Sequence, residues 1–419
     1  MHSLRTYNNG LQLITAPLKS TDSITALILV RAGSRYETRE INGISHYLEH
    51  MFFKGAQRYK TSRDVASAVD GVGGEFNAFT GKEYAGYYIK IAAKHLEKAL
   101  DVLSDMLLGS TFDAAEIDKE RGVIMGEYNM YQDTPMYQVQ WDFEKLVFGD
   151  QPLGWDEVGT KELIMGVKRE DFKAYQNMLY ASDNTIINIA GNFDPKHAAE
   201  LVDKYFVFDN LKRKKDFVKY VAPSETQRVS LTTKKTEQAH LCLGVESFTT
   251  HDHRRFATDL LGTILGGNMS SRMFQSIREE RGLAYYVQTT GSEYDDTGVF
   301  YTRSGVSLEN IDEAAKVIQD EYDLVKSEAV SVEELTKAKE YLKGKMVLQL
   351  EDSEAVAHYY GKQQLLTGKI ESVEERMRLI DAVTPEQILH TAQDLFSRPY
   401  RLSVIGPYED HAHFESLLR

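Results

Sequence analysis

The sequence predicts an α+β protein in which one domain type, a mainly antiparallel sheet packed with helices, is used twice. Runs such as SITALILVRAG (23–33) read as strands, whereas FDAAEIDKERGVIMGEY (112–128) spaces its apolar residues as a helix does. The same pieces recur in the second half. EQAHLCLGVES (237–247) plays the part of the first strand, and YRLSVIGPYED (400–410) answers NTIINIAGNFD (184–194). Their closing glycines, Gly191 and Gly406, stand 215 residues apart. VSVEELTKAKEYLKGKM (330–346) echoes the helix, and placing Ile117 on Leu335 gives an offset of 218. Two similar offsets over separate segments point to a duplicated domain. The alternative is coincidence between two amphipathic helices, since all such helices share this period. The expected division is 1–209, a basic, little-patterned linker at 210–228 containing Pro223, and 229–419.

Along the chain, Asn9-Gly10 between alternating residues reads as a hairpin turn entering a strand. The N-terminal stretch MHSLRTYNNGLQLI lacks the basic-then-apolar pattern of a signal peptide. No apolar run approaches the roughly 18 residues a membrane span needs. A cytoplasmic protein without membrane partners is expected. The single cysteine, Cys242, reads as a buried small hydrophobe and allows no internal disulfide. With 49 basic and 63 acidic side chains the net charge is −14, which argues against a nucleic-acid binder. The acidic balance serves solubility, and it also favours cationic partners by long-range steering.

The densest chemistry lies in HYLEHMFFKG (46–55). His46, Glu49 and His50 stand at i, i+3 and i+4 and share one helical face. Asn42-Gly43 supplies a turn before the helix, and Ser45 a possible cap. Two imidazoles one turn apart can bind one zinc ion, and the glutamate between them can take a proton from an attacking water. This is the inverted form of the zincin motif. Five-residue patterns recur by chance, but Ile44, Leu48, Met51, Phe52 and Phe53 make this helix too apolar for a merely solvated face. A catalytic zinc usually takes three protein ligands. The candidates are in KERGVIMGEYNMYQDTP (119–135), where Glu120 and Glu127 lie two turns apart on one face. One would bind metal while the other orients a histidine.

Two further stretches matter. GGEFNAFTGKEYAGYYIKI (73–91) alternates as a strand, and an edge strand can hold a peptide by adding it to the sheet. LGGNMSSRMFQSIREERGLAYY (265–286) holds Arg278 and Tyr285, seven apart. By themselves these two read as a structural ion pair and a core tyrosine. No phosphate-loop pattern accompanies Gly266-Gly267.

Together, NGISHYLEHMFFKG, GGEFNAFTGKEYAGYY, ERGVIMGEYNMYQDTP and SSRMFQSIREERGLAYYV resemble the pitrilysin family of zinc peptidases over nearly the whole chain. That family includes insulin-degrading enzyme and the mitochondrial processing peptidase, whose short two-domain subunits this chain is similar to. The resemblance implies one Zn2+ per chain held by His46, His50 and Glu127, with Glu49 as general base and Glu120 behind a histidine ligand. It implies that Asn77 and Ala78 line a substrate cleft, and that Arg278 and Tyr285 reach an active site as oxyanion donors. One departure is Gly126, where the family often has an acidic residue before the third ligand. At the 218 offset Glu127 falls on Lys345 and Glu120 on Ala338, and the second half contains no His-x-x-Glu-His, so only one repeat would hold metal. Longer family members close four such domains as a clamshell around a peptide. A two-domain chain is half of that, so the expectation is a homodimeric endopeptidase whose two chains enclose unfolded peptides. The alternatives are a catalytically silent structural or assembly subunit, and a half-enzyme that requires an unlike partner.

Overall fold

Eleven strands among the described residues form two sheets, each in its own compact unit. The computed structural model describes residues 2–223 and 227–419, so residues 224–226 of the expected linker lie outside the described residues. The first sheet contains β1 (Ser3–Thr6), β2 (Gln12–Pro17), β3 (Ser23–Val30), β4 (Glu75–Thr80), β5 (Ala85–Ala92) and β6 (Thr185–Gly191). Its order is β1-β2-β6-β3-β5-β4, and only β2 and β6 run parallel. The second sheet contains β7 (Val229–Thr233), β8 (Ala239–Ser247), β9 (Ala284–Glu293), β10 (Gly298–Val306) and β11 (Arg401–Gly406). Its order is β7-β11-β8-β10-β9, again with one parallel pair, β7 and β11. With β1 removed, the two sheets have the same order and the same strand senses. The duplication read from the sequence is therefore present in the topology, and β4 and β9 are equivalent edge strands.

Within the first unit, β3 is buried on both faces because helices cover both sides of the sheet. Leu27 and Leu29 pack with Ile14, Ile186 and the helix Ser353–Thr367 through Val356, Ala357 and Tyr360. The expected hairpin turn joins β1 to β2, with Gly10 at φ 88°, a conformation that favours glycine.

The units are not the contiguous stretches 1–209 and 229–419. The first comprises Met1–Tyr128, Trp155–Val218 and Val347–Glu371, and the second Asn129–Gly154, Lys219–Met346 and Ser372–Arg419. The helix Pro135–Phe148 thus belongs to the second unit, where Val139, Phe143 and Val147 pack beside the fully buried Cys242. The helix Ser353–Thr367 belongs to the first. An apolar stripe shows that a helix must pack on something, but not on which sheet. Part of the expected linker is tied down. Val218 N donates to Arg35 O at 3.3 Å, and Phe217 lies under the Arg35 guanidinium at 4.1 Å. Among the described residues no helix is long and apolar enough to cross a membrane.

Candidate metal centre

The motif folds as the short helix Ile44–Phe52. Ile44, Tyr47, Leu48, Met51 and Phe52 are buried, so the opposite stripe of His46, Glu49 and His50 faces one way together. The anchoring is specific. Tyr47 Oη donates to Ile117 O at 2.7 Å, which ties this helix to the one carrying both glutamates, Ala114–Gln132. That second helix runs unbroken through Gly126, where an added Cβ would meet nothing within 4 Å. Ser45 does not cap the motif helix. Its N-cap is Gly43, at φ 105°, pressed against Gly159. A glycine has no side chain to cap with, and the buried Glu37 takes over. Its carboxylate accepts from Gly43 N (2.7 Å), Ser45 N (2.9 Å) and Asn42 Nδ2 (3.0 Å). Burial pushes the Glu37 pKa up to about 7, against the pull of these three donors.

The structure brings His46, His50 and Glu127 together, with one ligand atom from each lying within 4.8 Å of the others. His46 Nε2 is 3.6 Å from Glu127 Oε1, and His50 Nε2 is 3.4 Å from Glu127 Oε2. Ligand atoms 2.0–2.2 Å from a tetrahedral zinc stand roughly 3.3–3.6 Å apart, so the two histidine–Glu127 separations match an N,N,O zinc site, and the 4.8 Å spread of the whole set would have to close slightly around an ion. The two glutamates reach different nitrogens of His50. Glu120 Oε1 accepts from His50 Nδ1 at 2.9 Å, which leaves Nε2 of that ring for a metal. Its other oxygen pairs with Lys54 Nζ at 2.7 Å. Burial works against the charge on Glu120, yet His50 and Lys54 outweigh it and hold its carboxyl below the usual range. Glu127, beside His46 and His50, is held well below that range. Burial disfavours a charged His50, but Glu120 and Glu127 more than offset this and raise its pKa to about 9.

Glu49 stands on the same helical face, and its Oε2 accepts from Thr80 Oγ1 at 2.6 Å. Thr80 ends β4, the outermost strand of its sheet. Strand alternation puts Phe76, Ala78 and Thr80 on the side of the motif helix, where the Phe76 ring meets Phe53 at 5.6 Å. Asn77 points to the other face, so Asn77 and Ala78 share with the open edge their backbone rather than a common side-chain direction.

In the second unit Arg278 and Tyr285 come together, with the guanidinium carbon 6.0 Å from the ring centroid. Neither fits the structural alternative. Tyr285 is 74% exposed, and the ion pair of Arg278 is a long 3.9 Å contact with its neighbour Glu279. Sequence reasoning missed Glu37, Lys54 and Thr80. A glycine at the helix start was the available signal for an external cap. Lys54 lies four residues after His50, one turn further on, but nothing in the sequence joins Thr80 to Glu49.

Residues 13–156 match the family described as insulinase (peptidase family M16), and residues 166–342 match the peptidase M16 inactive domain. An uncharacterized zinc protease of Bacillus subtilis is 36% identical over 96% of this chain and 97% of its own length. One of Streptomyces coelicolor is 37% identical over 97% of this chain and 89% of its own. A protease from Helicobacter pylori has the same fold, with a TM-score of 0.89 at 23% identity, covering 97% of this chain and 99% of that one. So does a chain of complex III2 from Candida albicans, with a TM-score of 0.84 at 16% identity over 99% of both chains.

Proposed function

The chain belongs to peptidase family M16, the insulinase family, and on that premise we propose that it is a zinc-dependent endopeptidase acting on unfolded peptides. The observation that carries this is the convergence of His46, His50 and Glu127 beside an unligated glutamate, Glu49, on the same helical face. A zinc ion held by the three would polarise the scissile carbonyl and acidify the attacking water. Glu49 accepts the proton of that water and returns it to the leaving amine. Glu120 keeps the His50 ring turned so that Nε2 faces the site. The open edge of β4 takes the substrate as an added strand, so main-chain hydrogen bonds hold it in an extended form that a folded protein does not offer. Arg278 and Tyr285 donate to the developing oxyanion.

In this reading each chain holds one zinc, and two identical chains enclose the peptide. The Arg278/Tyr285 pair then acts in trans, on the metal centre of the partner chain. Both parts of the machinery are present in one sequence, so a homodimer suffices. Mixing inactive Glu49→Gln chains with inactive Tyr285→Phe chains should restore activity, and mixed dimers that stay inactive would sink the trans arrangement.

The decisive experiment on the function is a peptide-library digest read by mass spectrometry, with and without chelator, beside a zinc assay and a native mass. Chelator-sensitive internal cleavage is expected. Glu49→Gln should keep its zinc while hydrolysis falls about 10²–10⁴-fold. A pure chain that binds no zinc would favour the silent structural reading, and a zinc-loaded inactive one the half-enzyme with an unlike partner.

A further inference from the structure

A general base works only if one carboxylate oxygen faces the attacking water. A glutamate on an open helical face has three side-chain torsions with which to turn away. Thr80 removes part of that freedom. Its hydroxyl is the one hydrogen-bond donor to Glu49 among the described residues, at a short 2.6 Å. The bond occupies Oε2 and leaves Oε1 to accept the proton. Its position in the sheet is equally telling. Thr80 closes β4, paired to Ala85 of β5 on one side. The other side of β4 is the free edge of the sheet. The Phe76–Phe53 contact fixes the same face of this strand against the end of the motif helix. The strand that offers its backbone to a peptide at Asn77 and Ala78 therefore also holds, two residues on, the group that fixes the base.

We propose that Thr80 is the positioning residue of Glu49, tying the orientation of the general base to the strand on which the peptide docks. The inference rests on the peptidase reading above. Thr80 touches neither the metal ligands nor the reacting atoms directly, and its contribution is to keep one oxygen of Glu49 in place.

Thr80→Val keeps the shape and suits a strand, but removes the hydroxyl. Thr80→Ser keeps the hydroxyl. For Thr80→Val, kcat on an internally quenched peptide should fall about 10–100-fold, the scale of an ångström-level misplacement of a reacting group. KM, zinc per chain and Tm should stay close to wild type. Binding of the same peptide to the metal-free chain, followed by fluorescence anisotropy, should change less than about twofold, since the edge of β4 is intact. Thr80→Ser should recover kcat to within about threefold of wild type, because the donor is restored. If valine disturbs the strand, Thr80→Ser against Thr80→Ala isolates the hydroxyl in the same way. Suppose wild type shows zinc-dependent cleavage that Glu49→Gln abolishes. A Thr80→Val kcat equal to wild type, or a Thr80→Ser loss as deep as that of Thr80→Val, then overturns this inference alone. A zinc-loaded wild type that cleaves nothing overturns the reading of this chain as a peptidase complete in itself, and this inference with it.

Discussion

Between pH 8 and pH 6 the apparent zinc affinity should fall about a hundredfold through His50 alone. The ring must lose a proton before Nε2 and the Glu120-bound Nδ1–H can serve together, so protons and zinc compete. Glu120 and Glu127 overcome burial and raise the His50 pKa from 6.5 to about 9. The ring is then neutral in about one molecule in ten at pH 8, one in a hundred at pH 7 and one in a thousand at pH 6. Each pH unit is a decade in affinity, or about 1.4 kcal/mol. A histidine of ordinary pKa would account for only about fourfold over the same two units. The assay is competition with a chromophoric chelator of known proton affinity at several pH values. Glu120→Gln provides the control. It removes the strongest hydrogen-bonding cause of the raised pKa, so the slope above pH 7 should flatten. It also trades a charged acceptor for a neutral one and loosens the hold on the ring, so affinity at pH 8 should drop about 10–100-fold. The gap between variant and wild type should therefore narrow as the pH falls. An affinity that is flat between pH 7 and pH 8 in the wild type would refute the reasoning.

The same shift acts on folding of the metal-free chain. A folded pKa above the unfolded one gives stabilisation that is complete below about pH 6.5 and lost as the pH rises through 9, an effect of about 3 kcal/mol. Its Tm should fall across that window, and less so in Glu120→Gln. Glu83→Gln should cost about 3–5 kcal/mol in urea unfolding, because it removes the negative charge paired with the Arg35 guanidinium, whose side chain is 0% exposed. A loss under about 1 kcal/mol would show that this buried pair is dispensable. Gly43→Ala should lower Tm and zinc affinity together. Its φ of 105° alone costs about 1–3 kcal/mol for a residue with a side chain, and the new Cβ would sit 2.6 Å from Gly159 Cα. An alanine variant as stable as wild type would remove Gly43 from the account of how the motif helix is held.

The parts of the centre that were legible share one property: they lie on single helices. Positions 46, 49 and 50, and positions 120 and 127, fall on common faces by the 3.6-residue period, so spacing alone selects them. The strands Ser23–Val30 and Ala239–Ser247 were legible for the matching reason, since β-branched runs bounded by turn residues are local signals. The difference in placement between Glu120 and Glu127 was not readable from spacing, because both satisfy the same period. It depends on which atom of His50 each reaches, and that follows from how the two helices cross at Tyr47 and Ile117.

The chain by itself determined the histidines and carboxylates of the candidate centre, their helical faces, the duplication and the edge-strand pattern. These follow from backbone periodicity and side-chain chemistry, which need no neighbour to be defined. Tertiary structure decided what holds those groups in place. Glu37 caps a helix it does not belong to, Lys54 neutralises a carboxylate on another helix, and Thr80 reaches Glu49 from the end of a strand. It also decided that the helices Pro135–Phe148 and Ser353–Thr367 serve the opposite units from those their sequence positions suggest. The physical reason is the same in each case. Burial and hydrogen bonding are satisfied by whichever partner the packing delivers, and a local pattern states the need for a partner without naming it.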